Sequence, residues 1–229
     1  MRVLIIVPAY NEEASIRRVV DDLEENYPQY DYVVVSDGSR DATAEICRQQ
    51  GYSLLELPIN LGLAGAVQAG LKYAQEQGYE AAVQLDGDGQ HDPAYIGLML
   101  REMERSEADI VIGSRFKERR KPGGWRMLGS NMIQAAIRLT TGKTIRDPTS
   151  GMRLLNRRMI CEFAGNLNYG PEPDTVAYLL LRGARVEEVQ VSMRERTAGK
   201  SYLNLSRSAE YMFRICFSIV FIQWFRKRR

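Results

Sequence analysis

The 229-residue chain is poor in soft metal ligands. It has one histidine, His91, and three cysteines, Cys47, Cys161 and Cys216, with no CxxC pair among them. That scarcity argues against a zinc site and a disulfide framework, and it fits a reducing compartment. Long hydrophobic runs are missing too. The longest late one, ICFSIVFIQWF (215–225), has 11 residues, against the roughly 18 needed to cross a bilayer. The opening run RVLIIV has no basic stretch before it and no cleavage site after it, so no secretory leader is expected. A dinucleotide fold needs GxGxxG after its first strand, and PAYNEE (8–13) stands there instead. Internal repeats and low-complexity linkers are also lacking.

What is present is a split in charge. Residues 1 to 112 hold 8 Lys and Arg against 20 Asp and Glu, and the remainder holds 23 against 9, although the formal net charge is only +2. An acidic half suits a cation; a basic half suits phosphates, nucleic acid or an anionic membrane. With 45% hydrophobic residues the chain can bury a sizeable core.

Short apolar runs alternate with helical periodicities through the first half. RVLIIV (2–7), DYVVVSD (31–37), YSLLELP (52–58), EAAVQLD (80–86) and ADIVIGSR (108–115) read as strands. Helices are expected between them over 12–27, 40–51, 63–78 and 93–105, with Gly51 and Gly78 as stops. The runs are nearly continuous in apolar residues, as strands covered on both faces should be. The expected fold class is therefore α/β, a mainly parallel sheet sandwiched by helices. Further on, FKERRKPGGW (116–125) is a basic glycine-rich loop, helices are expected over 127–142 and 173–183, and strands in RDPTSGMRLL (146–155) and ARVEEVQVSMRE (184–195). Residues 201–229 read as one long amphipathic helix with a basic end.

Ligands of open parallel sheets sit beyond the C-terminal strand ends. Three such ends are polar here: PAYNEE, SDGSRD (36–41) and DGDGQHD (86–92). Any one alone fits a turn and helix cap; three acidic ends on one rim are harder to dismiss. Asp86 and Asp88 cannot stand close together, both ionised, without a compensating charge. A divalent cation supplies it, and oxygen ligands suit Mg2+ or Mn2+, with Gln90 as a neutral third oxygen. An EF-hand starting at Asp86 fails, because its twelfth position is Gly97. His91 reads as a turn residue or a support to the metal ligands rather than a catalyst.

VPAYNE (7–12), SDGSRD (36–41), NLGLAGAVQAG (60–70), LDGDGQH (85–91) and DPTSGMR (147–153), in that order, resemble the family 2 glycosyltransferases, most of all their dolichyl- and undecaprenyl-phosphate sugar transferases. The resemblance spans about residues 2 to 201. It implies a GT-A fold and a UDP- or GDP-linked sugar donor. Pro8, Ala9, Tyr10 and Glu12 would line the base and ribose pocket and Asp37 would bond the base. Asp86 would meet ribose or metal, and Asp88 and Gln90 would hold Mg2+ or Mn2+ on the diphosphate. Arg115, Arg126 and Ser130 match the acceptor-phosphate residues, and Arg196 and Lys200 in RTAGKS the later basic segment. Asp88 and Arg115 would then carry catalysis. Where the family often has DADLQH, Gly87 and Gly89 replace Ala and Leu and leave every ligand in place.

The resemblance implies inverting sugar transfer to a polyprenyl phosphate. A glycan hydroxyl remains the rival acceptor, with Asp147 as the obvious base; a basic nucleic-acid module is the non-enzymatic rival. Expected partners are the nucleotide sugar, the polyprenyl lipid, and a membrane surface met through the C-terminal helix or a small membrane protein; nucleic acid is not expected, and a homo-oligomer stays open. The expected division is a catalytic domain over 1–200 and a helical, basic appendage over 201–229, at the inner face of the cytoplasmic membrane.

Overall fold

The computed structural model describes residues 1–121, 123, 125–165, 170, 172–194 and 205–222. Seven strands form one sheet: β1 (Val3–Ala9), β2 (Asp31–Asp37), β3 (Leu54–Leu57), β4 (Ala81–Gln84), β5 (Ile110–Ser114), β6 (Arg153–Asn156) and β7 (Val186–Gln190), in the order β3-β2-β1-β4-β6-β5-β7. Helices α1 (Ile16–Asn26), α2 (Thr43–Gln50), α3 (Gly62–Glu76), α4 (Ile96–Ser106), α5 (Trp125–Thr141), α6 (Arg157–Gly165), α7 (Pro173–Leu181) and α8 (Leu205–Phe217) accompany them.

Every residue of β1 is buried, because successive side chains point to opposite faces and both faces are covered. Leu4, Ile6, Val33 and Val35 pack with residues of α3, α5, α6, α7 and α8. Val3, Ile5, Val7 and Val34 pack on the other face with α1, α2 and α4. This is the expected α/β sandwich of a mainly parallel sheet. The exception is β6, which runs antiparallel to both β4 and β5. Its reversal has a consequence for the site: the loop before it, residues 146–152, lies at the same rim as the C-terminal ends of β1, β2, β4, β5 and β7.

Helix α6 lies where the sequence suggested none. Its Met159, Ile160, Phe163 and Ala164 are buried, and the Asn156 side-chain oxygen accepts the Met159 N–H at 3.0 Å, a helix N-cap in the ordinary sense. At the C-terminus, the described helix runs over Leu205–Phe217 and continues as a π-helical turn over Ser218–Ile222. Ile215 and Ile219 enter the core. A Cβ on Gly129 would collide with Met212, so α5 and α8 meet at close range. No helix of the described residues is long and apolar enough to cross a membrane.

Candidate active site

The first strand end is held open by its own polar groups. Asn11 takes a positive φ of 56°, its N–H donates to Ser39 Oγ at 3.2 Å, and its Oδ1 accepts the Arg40 N–H at 2.8 Å. The Glu12 N–H donates to Thr43 Oγ1 at 2.8 Å, and Glu12 Oε2 accepts from Ser15 Oγ at 2.8 Å. The PAYNEE and SDGSRD turns are thus bonded to each other. Pro8 and Ala9 are buried and Tyr10 is half-buried. Asp37 is buried at the end of β2, where its Oδ1 accepts the Leu61 N–H at 2.7 Å. That carboxylate braces the entry to α3, and the Gly38 turn is packed so closely that a Cβ there would stand 2.6 Å from the Asn60 nitrogen.

The acidic loop follows β4. Gly87 N–H donates to Pro8 O at 3.3 Å, tying the loop to β1. Asp86 Oδ1 accepts from Gln84 Nε2 at 2.9 Å, and about a third of the Asp86 side chain is exposed. Asp88 is buried, its Oδ1 accepting the Gln90 N–H at 3.0 Å. The lone histidine lies beneath: His91 Nδ1 accepts the Asp86 N–H at 3.0 Å. An accepting Nδ1 fixes the neutral tautomer with its proton on Nε2, and that nitrogen is buried without a hydrogen-bond partner among the described residues. His91 is therefore a support of the turn. Arg194 closes the far side: its N–H donates to Gln90 O at 2.9 Å, and its guanidinium pairs with Asp22 at 2.8 Å and Asp92 at 2.9 Å. A cavity of about 690 Å3 opens beside the loop, reaching Arg17, Arg18, Asp86, His91 and Arg194; its lining includes none of Pro8, Ala9, Tyr10 or Asp37.

Two carboxylates and an amide oxygen in one loop fit a hard cation that keeps water and substrate oxygens in its shell, as Mg2+ and Mn2+ do. Among the described residues no cluster of three or more His, Cys, Asp or Glu is placed to hold an ion.

Opposite stands the basic side. Arg115, just past β5, is clamped by Asp147: Nε to Oδ2 at 2.7 Å, NH2 to Oδ1 at 2.8 Å, and the Arg115 N–H to Oδ2 at 3.0 Å. Asp147 is fully buried and its own N–H donates to Glu188 Oε1 at 2.8 Å. Its hydrogen bonds to the Asp147 carboxylate hold the Arg115 guanidinium above its ordinary pKa. Arg153, buried, donates from Nε to Ser150 O at 3.0 Å and from NH2 to Pro148 O at 2.8 Å, so it fixes the loop from within. Ser130 is buried on α5 and accepts from Lys121 Nζ at 3.0 Å. Arg126 falls in the first turn of α5, its side chain outside the described residues, as Arg196 and Lys200 are entirely. Sequence reading did not single out Gln84, Lys121, Gly151 or Arg153. Gly151 and Arg153 carried a signal as part of DPTSGMR, and Lys121 as part of the basic loop FKERRKPGGW.

The loop before β6 joins the two sides. Asp147 grips Arg115 at one end, and at the other a Cβ on Gly151 would stand 3.0 Å from His91 Cε1 and 3.2 Å from Asp86 Oδ2.

A seven-stranded α/β sheet with an acidic loop after β4 and a basic wall after β5 has the layout of a GT-A sugar transferase. Residues 4–163 match the model of glycosyl transferase family 2, and the chain belongs to that family; it is a glycosyltransferase. It is 31% identical over 89% of its length, and 88% of the relative's, to the undecaprenyl-phosphate mannosyltransferase of Micrococcus luteus. It is 29% identical over 93% of its length, and 85% of the relative's, to the polyprenol monophosphomannose synthase of Mycolicibacterium smegmatis. In fold it is similar to the glucosyl-3-phosphoglycerate synthase of Mycobacterium tuberculosis in complex with Mn2+, UDP and glucosyl-3-phosphoglycerate, with a TM-score of 0.70 and 19% identity over 96% of this chain and 80% of that one. Family membership removes the non-enzymatic reading.

Proposed function

We propose that the protein transfers a sugar from a UDP- or GDP-linked donor to a polyprenyl phosphate, with inversion in a single displacement. The observation that carries this reading is the juxtaposition of an acidic metal-type loop and a basic pocket through one short loop, Asp147 to Gly151. Two relatives named for sugar transfer to polyprenyl phosphate support it, and their names put a mannosyl donor first among the candidates.

In the proposed step an oxygen of the lipid phosphate forms a bond to the anomeric carbon. The bond from that carbon to the diphosphate oxygen breaks, and the nucleoside diphosphate leaves with the electron pair. A phosphomonoester is already anionic near pH 7, so no residue must remove a proton. Arg115, Ser130 and, from outside the described residues, Arg126, Arg196 and Lys200 would orient and desolvate the acceptor. Pro8, Ala9, Tyr10, Glu12 and Asp37 would border the nucleoside. Asp86, Asp88 and Gln90 would hold Mg2+ or Mn2+, which supplies positive charge to the departing diphosphate.

The rival hydroxyl acceptor needs a base. Asp147 is poorly placed to be one, being fully buried with three hydrogen bonds from Arg115. The reading also divides the chain near residue 200 and gives the C-terminal segment a membrane-facing role at the cytoplasmic face. Helix α8 turns Ile215 to the core while Phe213 and Phe217, with Phe221 beyond, stay exposed by 71%, 47% and 54%. A helix apolar on both sides suits an interface.

The test is a transfer assay with UDP- and GDP-sugars, undecaprenyl phosphate in detergent, and Mg2+ or Mn2+, with Asp88→Ala as control. Lipid-linked sugar formed by the wild type and lost in the variant is expected. Donor hydrolysis or glycan transfer with no lipid product would overturn the acceptor assignment.

A further inference from the structure

The cations facing the proposed acceptor are not equivalent. Arg115 has spent its charge: its Nε and NH2 lie on the Asp147 carboxylate, and the pair is neutral as a unit. Lys121 differs. Its ammonium donates to two neutral groups, Ser130 Oγ at 3.0 Å and Gln134 Oε1 at 3.0 Å, and it has no ion pair among the described residues. An ammonium has three donors, so one N–H is left over. Two acids act on it from nearby without bonding it, Asp147 and Glu188. Asp147 holds Arg115, and Glu188 accepts the N–H groups of Arg146 and Asp147, each at 2.8 Å. Lys121 and Arg115 also share the Phe116 ring, with Nζ 5.7 Å and the guanidinium carbon 5.2 Å from its centroid. Both cationic heads thus lie against one aromatic ring, and Lys121 carries Ser130 with it.

We propose that Lys121 is the acceptor-phosphate ligand whose charge is not tied up in a direct ion pair, with Ser130 donating beside it and Arg115 serving as a neutralised, positioned fork. The inference rests on the proposed use of a lipid phosphate and deepens it. Burial lowers the Lys121 pKa, the expected cost of holding an unpaired ammonium half out of water; a phosphate oxygen in its coordination reach reverses that cost. In the absence of acceptor the hydroxyl and amide of Ser130 and Gln134 hold the lysine in place. Nothing local marks this residue: Lys121 is one of several basic residues in the loop before α5, and the fold alone bonds it to Ser130 and Gln134.

The probe is farnesyl phosphate, measured by calorimetry against wild type, Lys121→Gln and Lys121→Arg, with farnesol as the uncharged comparison. Mn2+-dependent UDP and GDP binding is measured on the same samples. Gln retains a hydrogen-bond donor and removes the charge, on a side chain one atom shorter. Loss of one charge-assisted hydrogen bond predicts affinity for farnesyl phosphate weakened roughly tenfold to a hundredfold in Lys121→Gln. Lys121→Arg should keep most of it, and nucleotide binding should not change. Equal binding of farnesyl phosphate by wild type and Lys121→Gln overturns the inference and leaves the acceptor reading standing. A Lys121→Gln protein that loses nucleotide as well reveals a structural role and also overturns it. A wild type that binds no farnesyl phosphate overturns both.

Discussion

Gly151→Ala tests the join between the two halves of the site with a single methyl group. Gly151 is not in the left-handed region, so alanine strains no backbone and the effect is one of space. The added Cβ would sit 3.0 Å from His91 Cε1, 3.2 Å from Asp86 Oδ2 and 3.5 Å from Gln84 Nε2. Something must move by a few tenths of an ångström. The His91 ring cannot, because its side chain is 1% exposed and its Nδ1 is fixed by the Asp86 N–H. The Asp86 carboxylate, 36% exposed, is the part able to yield, and in yielding it leaves Gln84 Nε2. Overpacking of this kind costs about 1–3 kcal/mol. For a chain of this size that is a fall in Tm of several degrees, on the order of 2–4 °C per kcal/mol. Displacing a candidate metal ligand should weaken metal-dependent nucleotide binding about tenfold to a hundredfold, as loss of supporting contacts does in metal sites. The assay is calorimetric titration of UDP and GDP at saturating and limiting Mn2+, alongside thermal melts. Gly165→Ala is the control, since a Cβ there meets nothing within 4 Å. A Gly151→Ala protein with unchanged nucleotide affinity at limiting Mn2+ would refute the coupling of this loop to Asp86.

Arg115→Ala should destabilise the fold by about 3 kcal/mol or more, because it strands the buried Asp147 carboxylate; urea unfolding with a loss under ~1 kcal/mol would contradict that. The same variant is therefore a poor isolated probe of lipid use. Asp109 gives a pH prediction. Burial pushes its carboxyl up, but hydrogen bonds from Arg158, the Arg185 N–H and Asn156 outweigh burial and hold it below the usual carboxylate range. A depressed folded pKa gives stability that is complete above the unfolded value, about 3.9, and is lost as pH falls through the folded one. Stability of the wild type should drop below about pH 4, and Asp109→Asn should flatten that limb; parallel acid limbs would count against the assignment. Finally, Phe213→Ser, Phe217→Ser and Phe221→Ser together should reduce sedimentation with anionic liposomes without unfolding the core, since the core contacts of this segment come from Ile215 and Ile219, with Tyr211, Met212, Cys216 and Val220 against them, and not from these rings. Undiminished sedimentation would remove α8 from the membrane surface. Deleting residues 202–229 is the blunter test, because it also strips those two core side chains.

The parallel half of the fold was legible because one physical signal dominated it. DYVVVSD is β2 residue for residue, and the unbroken apolar runs of β1 and β4 meant burial on both faces. The signal weakens where local and tertiary information part. The reversal of β6 leaves no trace in a four-residue strand; it follows from the chain returning across the rim from α5. Helix α6 was readable in retrospect, since Asn156 precedes a run whose Met159, Ile160 and Phe163 share a face. It was passed over because nine residues after a strand give too little periodicity to separate helix from loop.

The site divides along a different line. Acidic ligands are local: Asp86, Asp88 and Gln90 sit within five residues, and spacing alone raised the question of a cation. Cations are not local. Whether an arginine is an available charge depends on whether an acid has already claimed it, and the acid that claims Arg115 is 32 residues away and fully buried. The resemblance therefore placed Arg115 among the acceptor-phosphate residues and left Lys121 in a loop read only as basic and glycine-rich. The geometry reverses their weight on electrostatic grounds. A guanidinium bound in bidentate fashion to a buried carboxylate contributes orientation and little net field, whereas a half-buried ammonium bonded to neutral oxygens, with Asp147 and Glu188 acting only from a distance, keeps a charge that a ligand can meet directly. A pocket that must attract a dianion, release a sugar phosphate of lower charge and stay folded between turnovers gains from that division of labour, because the fixed pair maintains the shape while the unpaired lysine responds to the ligand.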